Sequence, residues 1–354
     1  MLFHVMLFLL LPLIMFGAEP DFYVWQRQHI PAVQKAVRNY YKNHGGKLYF
    51  IAGELENNGR SIAVSPSECV DFSRSVPVIR VHIKHIKKRV PELASELLLL
   101  YQPWQKSKAL QIDLDAPESK ISYYRELMKE LRRRLPGVEL SATVLPCHVR
   151  HEKEFRKLAE ACDYYVLQVH GLSKEGNRWF ILDGGIAFQA LDRAKKLGYR
   201  FKTALPLYCN WLKNGTLVIP DMNLVSRLAA ESPAVIGFRL GIPGDETALD
   251  LETASAVCYG KPYWPELQIF WEKEEYGIQR MSIRNRGYFP GIATFECQWT
   301  NIPLQLNAGV FNGATFRSGG KELRLPIPAP GESKVYFWVR SKDQALTIKL
   351  KDIK

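Results

Sequence analysis

Between residues 22 and 258, short apolar runs alternate with longer stretches whose apolar residues recur at helical spacing. Eight of the short runs have the length and the β-branched or aromatic content of buried strands. They are FYVWQRQ (22–28), KLYFIAGEL (47–55), VPVIRVHIK (76–84), ALQIDLD (109–115), VELSATVLP (138–146), DYYVLQVHG (163–171), RFKTALPLY (200–208) and AVIGFRLG (234–241). The stretches between them predict helices. In SKISYYRELMKELRRRL, Ile121, Tyr124, Leu127, Met128, Leu131 and Leu135 form one stripe. IPAVQKAVRNYYKN has the same spacing, and VPELASELLLLYQPW is long and apolar with Pro91 near its start. GIAFQALDRAKKLG ends on the glycine that suits a helix stop, and DETALDLETASAVC follows the eighth run. Strand and helix alternating eight times imply parallel strands joined by crossover helices. The chain is therefore expected to be α/β, with a (β/α)8 TIM barrel over residues 19–260.

After Tyr259 no helical spacing remains. Short β-type runs are separated by NRGYFPG, NAGVFNGA, RSGGKE and PIPAPGES, all of turn composition. Residues 261–354 are expected to form a small antiparallel β-sandwich of the immunoglobulin-like kind.

Period two then assigns the sides of each barrel strand, one toward the helices and one toward the axis. In ALQIDLD the apolar Leu110, Ile112 and Leu114 belong against helices, so Gln111, Asp113 and Asp115 face the axis and the mouth. The same alternation turns Arg80 and His82 inward in the third run, Gln168 and His170 in the sixth, and Gly237 and Arg239 in the eighth. Glu54 ends the second run and Tyr208 the seventh. Barrel enzymes keep their chemistry at strand C-terminal ends, where Asp113, His170 and Tyr208 fall. Two readings stay open: a salt-bridge network that fills the barrel, since buried charges must pair, or a ligand site. Asp115 has a reading of its own. It stands three residues before Glu118 with Pro117 between, the spacing of a capping box for the next helix. Trp25 ends strand one, Trp179 lies in the loop after strand six and Trp211 follows strand seven, and they offer aromatic faces suited to sugar rings.

Composition is that of a folded protein, 47% hydrophobic and 24% charged over 354 residues, which excludes general disorder. The formal net charge of +12 fits either a lysine-rich solvated surface or a polyanionic partner, with HIKHIKKR (82–89) the densest basic run. The N-terminus, MLFHVMLFLLLPLIMFGAEPDF, carries an apolar run that ends in small residues near Ala18. That is the length of a signal-peptide core and short for a membrane span. Residues 1–18 are expected to be an export signal, with an uncleaved anchor as the alternative. A periplasmic or extracellular location follows, with no transmembrane segment after signal removal. Export argues against nucleic acid as the partner of the basic charge. The six cysteines, Cys69, Cys147, Cys162, Cys209, Cys258 and Cys297, have no CxxC or metal-like spacing. Some could pair in an oxidising compartment, and buried free thiols fit a chain of this size equally. No cofactor and no metal are implied.

The run QIDLDAP followed by YYRELMKELRRRLPGVELSATVLP, taken with FYVWQRQ and NRGYFPG, resembles an exported bacterial family of unknown function. The resemblance implies a barrel distantly related to glycoside hydrolases and names no reaction. Strand four is also similar to that of chitinase-like glycosidases, which carry D-x-x-D-x-D-x-E with the final Glu as general acid. Asp113 and Asp115 match the two inner acids. Leu110 stands at the first acid and Pro117 at the catalytic Glu, with Glu118 one residue late, so that mechanism does not transfer.

The reading is a secreted carbohydrate-active barrel, a glycoside hydrolase acting on a neutral or anionic poly- or oligosaccharide. Asp113 would be one of two catalytic carboxylates, with Asp115 or Glu54 the other. Arg80, His82, Gln111, His170, Tyr208, Arg239, Trp25, Trp179 and Trp211 would bind substrate. The alternative is a non-catalytic glycan- or cell-wall-binding barrel. A metal hydrolase using His82, Asp113 and His170 would lack any HxH or HExxH spacing.

Overall fold

The computed structural model describes residues 19–274, 278–299, 308–340 and 346–354; the expected signal lies outside them. All eight predicted strands form: β1 (Asp21–Val24), β2 (Leu48–Leu55), β3 (Ser75–Val81), β4 (Ala109–Leu114), β5 (Glu139–Val144), β6 (Tyr164–Gln168), β7 (Phe201–Pro206) and β8 (Val235–Phe238). Each pairs in parallel with the next, and β8 pairs with β1, so the barrel is closed.

Among the described residues seven α-helices surround it: α1 (Pro31–Asn43), α2 (Val90–Tyr101), α3 (Ile121–Arg134), α4 (Glu152–Ala159), α5 (Gly184–Leu197), α6 (Met222–Glu231) and α7 (Leu251–Cys258). The helices α4 and α6 fall in stretches for which the spacing predicted none. Both are short: α4 buries only Phe155, Leu158 and Ala159, and α6 is capped by Asp221, whose carboxylate accepts from the Asn223 and Leu224 N–H groups.

The eightfold alternation breaks between β2 and β3, where no α-helix forms. The strand Ser61–Ala63 turns back on β2, and a single 3-10 turn, Phe72–Arg74, leads into β3. Trp104, from the 3-10 segment after α2, fills the gap in the helical layer. Its ring is fully buried between Phe50 and Phe72, and its N–H donates to the Val64 carbonyl at 2.7 Å. Trp104→Ala is expected to destabilise the protein by about 3–5 kcal/mol, read as a lower urea midpoint at unchanged slope.

Alternation produces two apolar layers. Ile79, Ile112 and Leu114 join the helices in the outer core, while Tyr23, Val78, Val166, Ala204 and Ile236 fill the inside. An ion pair does lie within the barrel, but at its N-terminal end. Lys202 pairs with Asp21 and sits over the Tyr49 and Tyr164 rings.

The C-terminal region is an antiparallel sandwich of β9 (Glu266–Lys273), β10 (Ile278–Arg286), β11 (Ile292–Trp299), β12 (Ala308–Val310), β13 (Thr315–Arg317), β14 (Glu322–Pro326), β15 (Ser333–Arg340) and β16 (Leu346–Ile353). One sheet has the order β9-β10-β15-β12 and the other β13-β14-β11-β16, around a core that includes Ile283, Phe295, Leu325 and Phe337. Among the described strands the seventh, not the fifth, lies beside the second, which differs from the immunoglobulin order. Against the barrel, Arg286 pairs with Glu252 and the Tyr263 hydroxyl donates to the Gly287 carbonyl. Gly287, in the predicted turn NRGYFPG, has φ 94°, a conformation few other residues adopt. All six cysteines are free thiols.

Candidate functional site

The C-terminal ends of β2, β3 and β4 bring three charges to one level. Arg80 is in register with Glu54 on one side and with Asp113 on the other. Their apolar neighbours Ile79, Val81, Ile112 and Leu114 are buried in the outer core, which turns Arg80 and Asp113 to the axis.

Asp113 lines a cavity of about 170 Å³ at the barrel mouth. Tyr23, Trp25, Tyr208 and Phe238 make its aromatic wall, and Arg80, Asp115, Gln168 and His170 its polar one. Alone it is smaller than most ligand pockets. Larger hollows adjoin it on both sides. Asp115, Gln168, His170 and Gly171 also line a cleft of about 600 Å³ along α5, and Arg80 also lines a cavity of about 530 Å³ with Arg27, Glu54, His82 and Lys84.

Among the described residues, three buried polar atoms at the central cavity have no hydrogen-bond partner. The Oδ1 of Asp113 accepts no hydrogen bond, and neither ring nitrogen of His170 makes one. Leaving such groups unsatisfied costs about 1–3 kcal/mol each, so each has bonding capacity for a ligand. Burial, and then the charge of Asp115, push the Asp113 carboxyl up to about 7, against the pull of Arg80 and the Thr143 hydroxyl. Burial pushes His170, only 9% exposed, down to about 3, so its imidazole is neutral at ordinary pH. Its ring packs on Tyr208 and Phe238 at 5.7 and 5.2 Å, and burial raises the Tyr208 phenol to about 12.

Of the residues singled out in the sequence, Asp113, Asp115, Arg80, Gln168, His170, Tyr208 and Trp25 meet at this cavity. The others do not. Gln111 lies beneath it, fully buried, donating to the Tyr23 hydroxyl and the Thr143 hydroxyl at 2.7 Å each. Glu54 is paired with Arg27, which also reaches Glu56, and it faces the neighbouring cavity. His82 lies past the strand end, where its Nδ1 accepts from the Lys84 N–H and caps the turn Ile83–Lys87. Trp179 and Trp211 sit exposed on two hairpins and line none of these three cavities. Among the described residues, no group of three His, Cys, Asp or Glu side chains is arranged to hold a metal ion, and His82 lies in a different cavity from Asp113 and His170.

Two expectations are reversed. Asp115 caps no helix: the residues preceding the 3-10 turn Glu118–Lys120 and α3 are Pro117 and Lys120, and neither has a side-chain cap. Glu118, the other half of the expected box, pairs instead with Arg150 and His151. Asp115 stays exposed and reaches both the cavity and the cleft. In β8 the alternation runs the other way. Ile236 and Phe238 face the axis, while a Cβ on Gly237 would collide with Leu207 and Phe22 at 2.5 and 2.7 Å. Arg239 falls beyond the strand and is held by Asp245 at 2.7 Å and Thr247 at 2.8 Å. Phe238, a wall of the cavity, was therefore missed. The strand itself, VIGF (235–238), is apolar on both sides, and only its register beside β7 and β1 selects the inner one.

Fold and site define a (β/α) barrel with a polar and aromatic cavity at the C-terminal mouth and a β-sandwich appended. Within it, residues 73–235, from just before β3 into β8, match the model of a family described as Domain of unknown function (DUF3142). The QIDLDAP run lies inside this stretch, whereas FYVWQRQ and NRGYFPG lie outside it. No curated protein matches. Solved structures of similar shape include a form of the xylanase-A-amylase inhibitor protein, at 11% identity, 70% of this chain, 100% of that one and a TM-score of 0.41. Others are the α-amylase of Geobacillus thermoleovorans complexed with acarbose (9%, 92% and 99%, 0.37) and the α-L-arabinofuranosidase of Thermotoga maritima complexed with arabinose (8%, 89% and 89%, 0.34). The structural neighbours are thus glycoside hydrolases and related barrels. At such identities and scores they carry no argument about chemistry, which rests on the site itself.

Proposed function

We propose that this protein is an exported glycoside hydrolase in which Asp113 donates the proton to the leaving glycosidic oxygen. The observation that carries this reading is the pair of carboxylates on one aromatic-walled cavity, with Asp113 pushed up to about 7 beside an exposed Asp115. A carboxyl that keeps its proton near neutral pH is the acid such hydrolysis needs, and the second carboxylate serves as base or nucleophile. Asp115 is better suited to that second role than Glu54, which Arg27 neutralises from the next cavity.

His170, neutral and with both nitrogens free, suits sugar hydroxyls, which both donate and accept. Trp25, Tyr208 and Phe238 offer ring faces to the apolar side of a sugar. The test is a panel of poly- and oligosaccharides assayed for new reducing ends with wild type, Asp113→Asn and Asp115→Asn. Binding without new reducing ends in any variant would mean a glycan-binding barrel instead.

Export completes the proposal. Mass spectrometry of protein recovered from the producing cell's exterior or periplasm should find an N-terminus at Glu19, after Ala18. A cytoplasmic protein starting at Met1 would remove this part.

A further inference from the structure

We infer that the saccharide at the barrel mouth is acidic and that Arg80 receives its anionic group. This rests on the carbohydrate reading above and names the substrate class within it. Arg80 has a carboxylate-bearing residue in register on either side, yet among the described residues it makes no hydrogen bond and no ion pair. Glu54 has been taken by Arg27, which shares itself with Glu56. Lys84, exposed on the rim of the same cavity, is also without an ion-pair partner among the described residues. That cavity has three cations, Arg27, Arg80 and Lys84, against two carboxylates, Glu54 and Glu56, and the uncommitted cations are Arg80 and Lys84.

Position adds to charge. Arg80 lines both this cavity and the one holding Asp113, so an anion on its guanidinium would sit beside the reacting bond. A guanidinium matches the planar oxygens of a carboxylate and also binds a sulfate ester, commonly through two parallel hydrogen bonds. The chain's +12 would draw a polyanion toward the mouth. The common chemistry is an anionic substituent on a sugar ring, and its two sources are uronic acids and sulfated sugars.

The experiment is calorimetric titration of the purified protein, with four probes: oligogalacturonate, oligoglucuronate, sulfated galactan oligosaccharides and neutral cello-oligosaccharides. Wild type, Arg80→Gln, Arg80→Lys and Asp113→Asn are compared. At least one acidic probe should bind tenfold or more tighter than the neutral one. Arg80→Gln should erase that preference and Arg80→Lys should keep part of it, whereas Asp113→Asn, which removes a negative charge beside Arg80, should not weaken it. Which acidic probe binds separates uronate from sulfate. Because Arg80 is exposed and unpaired, its variants should fold normally, verified by melting temperature. Equal binding of neutral and acidic probes, or an Arg80→Gln variant that keeps the preference, overturns the inference. If neutral probes are cleaved in an Asp113-dependent way, the glycosidase reading stands while this one falls; if no saccharide binds, both fall.

Discussion

Asp113→Asn should lower turnover by about 10²–10⁴-fold while leaving saccharide affinity within a few-fold of wild type. That range is what a positioned general acid contributes. The amide keeps the shape of the carboxyl in the 170 Å³ cavity but has no proton to give. In wild type, rate should fall as pH passes about 7, because burial and the neighbouring Asp115 hold the proton on Asp113 up to that point. The variant should lose this upper limb of the profile. Asp115→Asn should also impair turnover, without removing that limb. An Asp113→Asn enzyme with normal turnover on a substrate that wild type cleaves would exclude Asp113 as the acid.

The second large effect is on stability and carries an unusual sign. In the folded chain Asp113 keeps its proton to about pH 7, whereas the unfolded chain releases it near 3.8. Between these values the folded state binds the extra proton. The contribution to stability is therefore fully present below about pH 4 and is lost as pH rises through 7. Asparagine has no such ionisation. Asp113→Asn should match wild type near pH 4 and become progressively more stable than it up to about pH 8. Full shielding would make the difference about 4 kcal/mol. Water reaches this carboxyl through the cavity, so about 1–3 kcal/mol is expected. Urea unfolding of both proteins at pH 4.5, 6 and 8 measures it. Had an arginine been buried against Asp113, the same variant would strand that charge and be less stable above the carboxyl's pKa. The exposed, unpaired Arg80 gives the opposite expectation, and a variant destabilised at pH 8 would mean that Arg80 does pair there.

Much of this architecture was legible because it depends on local rules. Ile79, Val81, Ile112 and Leu114 must be dry, and period two then turns Arg80 and Asp113 inward whatever the rest of the chain does. The same rule failed for β8, where Ile236 and Phe238 are as apolar as their neighbours, so hydrophobicity does not choose a side. The missing second helix was equally hidden. The stretch between β2 and β3 carries no sign that Trp104, some fifty residues beyond β2, covers that part of the barrel. The sequence spacing around Asp115 fitted a capping box, but capping requires the helix to begin at the right turn. The chain instead runs through Pro117 into a 3-10 turn, which frees Asp115 for the cavity.

The sequence by itself determined the closed parallel barrel, the β-sandwich after it, and the facing of Asp113, because each follows from the period of apolar residues along a short segment. Only the tertiary structure decided which polar groups keep company. Glu54 is neutralised by Arg27, Arg239 is held by Asp245, and His82 is spent on a turn. Among the described residues Arg80 makes no ion pair, and Oδ1 of Asp113 and both nitrogens of His170 have no hydrogen-bond partner, all around one cavity. Pairings between residues dozens of positions apart depend on loop paths and strand ends that no local period encodes, and those pairings separate a filled barrel from one with a site.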